Sequence, residues 1–254
     1  MKLVNDDAVS ADRESALHEL AVLQSEHSVD SSGRLRAAVL GANDGLVSNV
    51  SLVMGMAGAA PVSGIVLLAG LAGVVAGALS MALGEYVSVQ TQRESFEALI
   101  AMEKREIARN PRHEEHEVTV IYRAKGIPPQ EAARFAAHIM RDPEVALDLM
   151  AREELGLNPD ELGAPVAVAL SSMAAFASGA IVPVIPFMFL PVATAAPVAA
   201  ILTVLALLLT GGFTARMIGR SPLHGAIRLA LLGGAAALIT HVAGRIAGGI
   251  ANIA

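Results

Sequence analysis

The chain contains no cysteine and no tryptophan. The missing thiols exclude disulfide frameworks, thiolate metal sites and thiol nucleophiles together, and leave the redox compartment open. Aromatic residues fill only 3% of the 254 positions, and charged residues only 17%. A soluble domain carries about a quarter charged residues, so this composition speaks against an ordinary soluble enzyme and against a disordered chain. No GxxxxGK[ST] pattern occurs, so no ATP-driven motor is visible. None of the seven histidines has a glutamate three residues before it, which argues against a ferritin-type di-iron bundle. The net charge of -6 gives no reason to expect nucleic acid as a partner.

What is present is Ala, Gly, Leu, Val and Ile, a mixture that lets helices approach closely in a bilayer. Ala37 to Gly84 is 48 residues long with one charge, Asp44. Leu162 to Ala215 is 54 residues long with none. Leu229 to Ala254 carries only His241 and Arg245. A crossing helix needs about 20 apolar residues, so the first two stretches each hold two spans and the third holds one. The first pair is expected to break near Gly58 to Ser63, around Pro61. The second is expected to break in the stretch Pro186 to Pro197, with Pro183 and Pro186 kinking span three. The fold class is therefore an all-α membrane protein with five transmembrane helices and a helical cytoplasmic domain inserted between spans two and three. Lys and Arg cluster on alternate sides of these spans. The positive-inside rule then puts the N-terminus in the cytoplasm and the C-terminus outside.

Glu85 to Glu161 is different in kind, with 16 of the 24 acids and 10 of the 18 basic residues in 77 positions. Span two has no stop signal and runs on as a long helix to Asn110-Pro111. Shorter helices are expected over His113 to Ala124, Pro129 to Met140 and Pro143 to Leu155, the last capped by Asp142. Val118, Ile121, Tyr122, Phe135, Ile139, Met140, Val145, Leu149 and Met150 are candidates for a small core. The domains are then 1–33, an N-terminal cytoplasmic segment; 34–89, spans one and two; 90–161, a cytoplasmic helical domain, which the resemblance given below makes a metal-binding one; and 162–254, spans three to five. Met1 to Gly33 has no apolar signal region. Within it Ser10 to His27 is weakly amphipathic, either an interfacial helix or a tail.

Asp44 lies within a nearly charge-free span, where an acid costs about 2.5–3.5 kcal/mol unless it faces a cavity, an ion or a partner. Asn43, Ser48 and Asn49 add oxygens nearby. Met81 and Glu85 are four apart on one helical face. A soft thioether beside a hard carboxylate suits a borderline divalent ion, although methionine is also a common gap-filler. Glu103 and Glu106 are three apart, as are Glu114 and Glu117, so each pair can present carboxylates to one ion. Met150, Glu153 and Glu154 can add ligands from the fourth helix. The ordinary alternative is a solvated acidic face paired with Lys104, Arg105, Arg109 and Arg112. His113 and His116 read as surface residues. Gly41 and Gly45, and Gly73 and Gly77, are spaced for close helix packing, within one subunit or at a dimer seam. A reference Glu pKa of about 4.3 predicts metal binding that weakens below about pH 5.

The run RAAVLGANDGLVSN, then SMALGEYVSVQTQ, then the acidic helices and SGAIVPVIPF, resembles the vacuolar iron transporter family in its bacterial form, from Arg34 to the C-terminus. The resemblance implies a five-span homodimer that exchanges Fe2+, and often Mn2+ and other divalent ions, for protons. It implies that Asp44 and Met81 line the ion path at the dimer axis and that Glu85 lies near its cytoplasmic mouth. It implies that Glu103, Glu106, Glu114, Glu117, Met150 and Glu154, with Glu153 as the neighbouring alternative, bind metal in the cytoplasmic domain. The function expected is export of Fe2+ or another divalent metal from the cytoplasm by proton antiport. No enzymatic activity and no prosthetic group are expected, since the metal is substrate. Partners are a second copy of the chain, divalent ions, protons and the lipid bilayer. The location expected is a bacterial inner membrane. The alternative is a membrane-anchored metal-sensing or metal-storing module without transport.

Overall fold

A computed structural model describes residues 34–59, 62–159 and 162–251. The amphipathic Ser10 to His27 segment and Pro61 lie outside the described residues. Among the described residues the secondary structure is entirely helical: α1 (Arg34–Ala59), α2 (Ser63–Arg109), α3 (Pro111–Ala124), α4 (Pro129–Ile139), α5 (Pro143–Glu153), α6 (Pro165–Ile181), α7 (Ile185–Phe189), α8 (Val192–Met217) and α9 (Pro222–Ala251).

α2 is 47 residues long because no proline interrupts it between Val62 and Asn110. At 1.5 Å per residue it measures about 70 Å, more than twice the roughly 30 Å of a bilayer core. Its first half is apolar and its second half charged, so one rod serves as a span and as a stalk. The helix ends where the Asn110 N–H reaches the Glu106 carbonyl at 2.8 Å and Pro111 opens α3. Helices α3, α4 and α5 fold back on the far end of the stalk. Asp142 caps α5 as its sequence position predicts, accepting from the Glu144 and Val145 amides at 3.0 and 3.4 Å.

The small core of this region unites Ile107, Val118, Ala136, Ala146 and Met150, with Tyr122, Ile139, Met140 and Leu149 packed around it. Three expectations need correction. Ile121 is half-buried and lies outside this cluster. Val145 is displaced from the core by Ala146, its neighbour on α5. Phe135 is 38% exposed and stacks on Tyr122 with 4.6 Å between ring centroids. Ile107, contributed by the stalk itself, was not foreseen as a core residue.

Among the described residues four helices are long and apolar enough to cross a membrane: Leu35–Ala59, Ser63–Arg109, Val192–Met217 and Pro222–Ile250. The expected third span is a shorter helix. α6 has 17 residues, about 25 Å. Pro183 has no N–H to continue it. The chain turns through Val182–Val184 and resumes as the five-residue α7 with Pro186 in its first turn. The proline-rich stretch breaks at Leu190 and Pro191 only, and α8 runs through Pro197. α9 begins at Pro222, about two turns earlier than the charge-free stretch indicated.

α1 packs against α6, α9, α2 and α8. It can do so because Gly41 and Gly45 present no side chain to α6. A Cβ on Gly45 would run into the Phe176 carbonyl. Gly77 accommodates the Phe176 ring in the same way, so both glycine pairs are used within one subunit. Asn49 ties three helices together. Its amide donates to the Gly70 carbonyl at 3.2 Å and the Ala180 carbonyl at 2.6 Å. The outer faces carry exposed Leu68, Leu209, Leu231 and Ile239. Such a broad apolar surface is a lipid-facing one, and the chain is an integral membrane protein.

Candidate metal centre

The far end of the stalk brings three carboxylates together. Glu103 lies on α2, Glu114 on α3, and Glu154 follows the last residue of α5. One oxygen from each lies within 4.8 Å of the others. The Asn110-Pro111 hairpin sets this register by folding α3 back along α2. Ile107 and Val118, one turn beyond Glu103 and Glu114, bury against Met150 and hold the two helices in place.

Glu103 is 2% exposed and Glu114 is 3% exposed. Oε1 of Glu103 and Oε2 of Glu114 are buried without a hydrogen-bond partner. A buried ionised carboxylate is expensive unless it is paired or coordinates a metal. Lys104, Arg105, Arg109 and Arg112 do not supply that pairing. Among the described residues none of the four forms an ion pair with these acids. The solvated, salt-bridged face weighed above therefore does not describe Glu103 and Glu114.

Electrostatics registers the same deficit. Burial, and then the charges of Glu154, Glu114, Glu106 and Glu117, push Glu103 from 4.5 up to about 7. Burial first and Glu117 second raise Glu114. Burial first, then Glu117 and Glu106, raise Glu154, opposed by His113. A divalent cation among these oxygens would reverse every one of these repulsions. Carboxylates and no thiolate make a hard to borderline donor set.

The remaining acids of the set play separate parts. Glu106 is exposed and Glu117 half-buried at the rim, where both charges act on the buried pair. Glu117 also lies 3.4 Å from His113 Nε2. His113 and His116 are exposed, as their sequence context predicts. Glu153 faces elsewhere and is engaged by Lys125. Of the neighbours Glu153 and Glu154, only Glu154 joins Glu103 and Glu114. Met150 is fully buried in the apolar cluster behind the acids.

A second polar locus lies within the apolar half of the rod. Asp44, Ser48 and Asn49 of α1, Ser80 and Met81 of α2, and Phe176 of α6 line a cavity of about 410 Å³. Asp44 is exposed on the surface of the single chain, and Ser48 donates back to its main-chain carbonyl at 2.6 Å. Asn49 carries an Oδ1 that is buried without a partner. Its amide is spent on two helix carbonyls, and the oxygen packs against Gly73 of α2. The structure brings Asp44 and Met81 to one cavity and leaves Glu85, half-buried one turn beyond Met81, outside its lining. Glu103 is 22 residues from Met81, about 33 Å along the rod.

One further contact was not foreseen from sequence. His241 Nδ1 of α9 meets the Met54 carbonyl of α1 at 3.0 Å. The isolated histidine in an apolar run was the available signal, but its partner lies 187 residues away.

Known proteins place this arrangement. The VIT family model matches residues 35–245, which takes in both loci. Vacuolar iron transporter 1 of Eucalyptus grandis is 36% identical over 200 residues, covering 78% of this chain and 80% of that protein. Vacuolar iron transporter 1 of Arabidopsis thaliana is 34% identical over the same shares. The vacuolar iron transporter of Acanthamoeba castellanii is 36% identical over 214 residues, 82% of this chain and 77% of that protein. With the match spanning the apolar helices and the acidic ones alike, the chain belongs to the VIT family.

Proposed function

We propose that this chain carries Fe2+, and Mn2+ or related divalent ions, out of the cytoplasm in exchange for protons. The observation that carries the reading is the pair of buried carboxylates Glu103 and Glu114, each with an oxygen that has no partner, at the end of the rod whose apolar half lines the Asp44–Met81 cavity. Family membership supports metal as the cargo, since the relatives above are named iron transporters. In this reading α6 and α7 together make a fifth crossing, 25 residues from Pro165 to Phe189. Residues 90–161 then form a cytoplasmic metal-binding domain, and spans occupy 34–89 and 162–251. The Lys and Arg distribution supports a cytoplasmic N-terminus and an external C-terminus. A homodimer would cover Asp44, which a single chain leaves exposed within its apolar region.

Protons enter because the oxygens that would hold M2+ also bind H+. Burial raises the proton affinity of Glu103 to about 7, so metal and proton compete near neutral pH. Oxygens of this kind within the membrane path would couple the two flows without ATP.

The test is metal flux into sealed vesicles containing the purified chain, with a metal-sensitive dye and a pH-sensitive dye inside. The expected result is metal movement with proton movement in the opposite sense, accelerated by a pH gradient. Metal movement at the same rate with the gradient collapsed and no proton movement would make the chain a uniporter. Metal binding without any flux would make it a membrane-anchored sensor or store.

A further inference from the structure

We propose that a cleft between α1, α8 and α9 binds the headgroup of an anionic glycerophospholipid that carries a free hydroxyl, such as phosphatidylglycerol. The cleft encloses about 640 Å³ at the turn between α8 and α9. Arg220 in the turn, with His224 and Arg228 four residues apart on α9, lines one wall. Thr214 of α8 and Asn43 of α1 complete it. No acid lines the cleft. Among the described residues neither Arg220 nor Arg228 forms an ion pair. The two arginines present guanidinium donors to one cavity without a counter-charge, and a phosphate supplies that charge.

The position fits a headgroup. The turn lies at the end of two membrane-crossing helices, on the side from which the acidic helices project. Exposed Ile218 and Leu223 flank the basic wall, ready to meet acyl chains. Basic pockets between helices at this level are a known mode of lipid-headgroup capture. Setting the orientation of the chain would require the charges but not the cavity.

Asn43 narrows the ligand. It lines the cleft, and its Oδ1 is buried without a hydrogen-bond partner, beside the guanidinium donors of Arg220 and Arg228. A phosphodiester cannot satisfy an acceptor, because it has no proton to give at neutral pH. A glycerol or inositol hydroxyl on the far side of the phosphate can. One ligand with a phosphodiester and a hydroxyl answers both demands of the cleft. A free phosphorylated polyol shares this chemistry and is separated by the experiment.

The test is binding of phosphatidylglycerol, phosphatidylmethanol (which has no free headgroup hydroxyl) and glycerol 3-phosphate to the full chain in neutral detergent, measured by native mass spectrometry. Phosphatidylglycerol is expected to bind most tightly. Arg220→Gln and Arg228→Gln should each weaken it about fivefold, and together about 25-fold. Asn43→Ala should erase the preference for phosphatidylglycerol over phosphatidylmethanol. Should the double variant aggregate on size exclusion, the single Arg228→Gln and Asn43→Ala variants carry the test. Unchanged binding in these variants overturns the proposal. Glycerol 3-phosphate binding as tightly as the lipid would also overturn it, making the ligand a soluble phosphate.

Discussion

Replacing Glu103 with glutamine should stabilise the metal-free chain at pH 8 and leave it unchanged at pH 4. Glutamine keeps the shape of the side chain and removes the charge that the site cannot pair. A carboxyl displaced from 4.5 to about 7 corresponds to about 3 kcal/mol between its two protonation states. The sign follows from proton linkage. The folded chain holds this proton more tightly than the unfolded chain does. Its favourable contribution is complete below about 4.5 and is lost as pH rises through about 7. Wild type and Glu103→Gln should therefore be alike at pH 4, diverge between 4.5 and 7, and differ by about 2–3 kcal/mol above that. Local opening of α3 and α5 reports this difference, so amide hydrogen exchange on the full chain in detergent with chelator is the assay. Metal should invert the order. At a concentration one thousand times its Kd, Mn2+ stabilises the form it binds by about 4.1 kcal/mol, which exceeds the 2–3 kcal/mol above, and the glutamine variant forfeits that gain. Faster exchange of α3 in the metal-free variant at pH 8 would refute the reasoning, because it would mean that Glu103 is structurally paired.

Mn2+ affinity of the full chain, measured by calorimetry, should fall as pH drops through about 7, well above the range of ordinary glutamates, because Glu103 is pushed up to about 7 and Glu114 and Glu154 are raised as well. Asp44→Ala should abolish metal flux in vesicles with unchanged size-exclusion behaviour, since the exposed carboxyl supports no packing in the single chain; wild-type flux would remove Asp44 from the path. Asn49→Leu should lower thermal stability by about 1–3 kcal/mol, because it strands the Ala180 carbonyl at the end of α6 and removes a second donor from the Gly70 carbonyl; an unshifted melting temperature would show that neither bond matters.

Local features were the legible ones. The Asp142 cap, the stop at Asn110-Pro111 and the continuity of α2 depend on residues within a turn or two of each other, and all three are present. Pro183 was legible as a disturbance but not as a break. With Pro186 three residues on, two backbone donors are missing within one turn, and α6 stops instead of bending. Pro197 shows the opposite outcome. It sits in the second turn of α8, where it gives up one bond to the preceding turn, and the helix runs through it. Gly41 and Gly45 announced a close approach without naming the neighbour, which turned out to be α6 of the same chain.

The acid cluster marks where sequence spacing stops being informative. The i, i+3 pairs Glu103–Glu106 and Glu114–Glu117 each identify one face of one helix and give all four residues equal standing. The structure divides them differently. Buried Glu103 and Glu114 are met by the exposed Glu154 from the end of α5, while Glu106 and Glu117 stay at the rim. The division is decided by Ile107, Val118 and Met150, whose burial fixes how α2, α3 and α5 meet. Apolar contacts thus choose which carboxylates lose their water, and the loss of water raises their proton affinity. A conservative change at Val118 would therefore alter the chemistry of Glu103 without touching it. The candidate ligands were readable from spacing, but their separation into buried and peripheral acids is a property of the packed core beneath them.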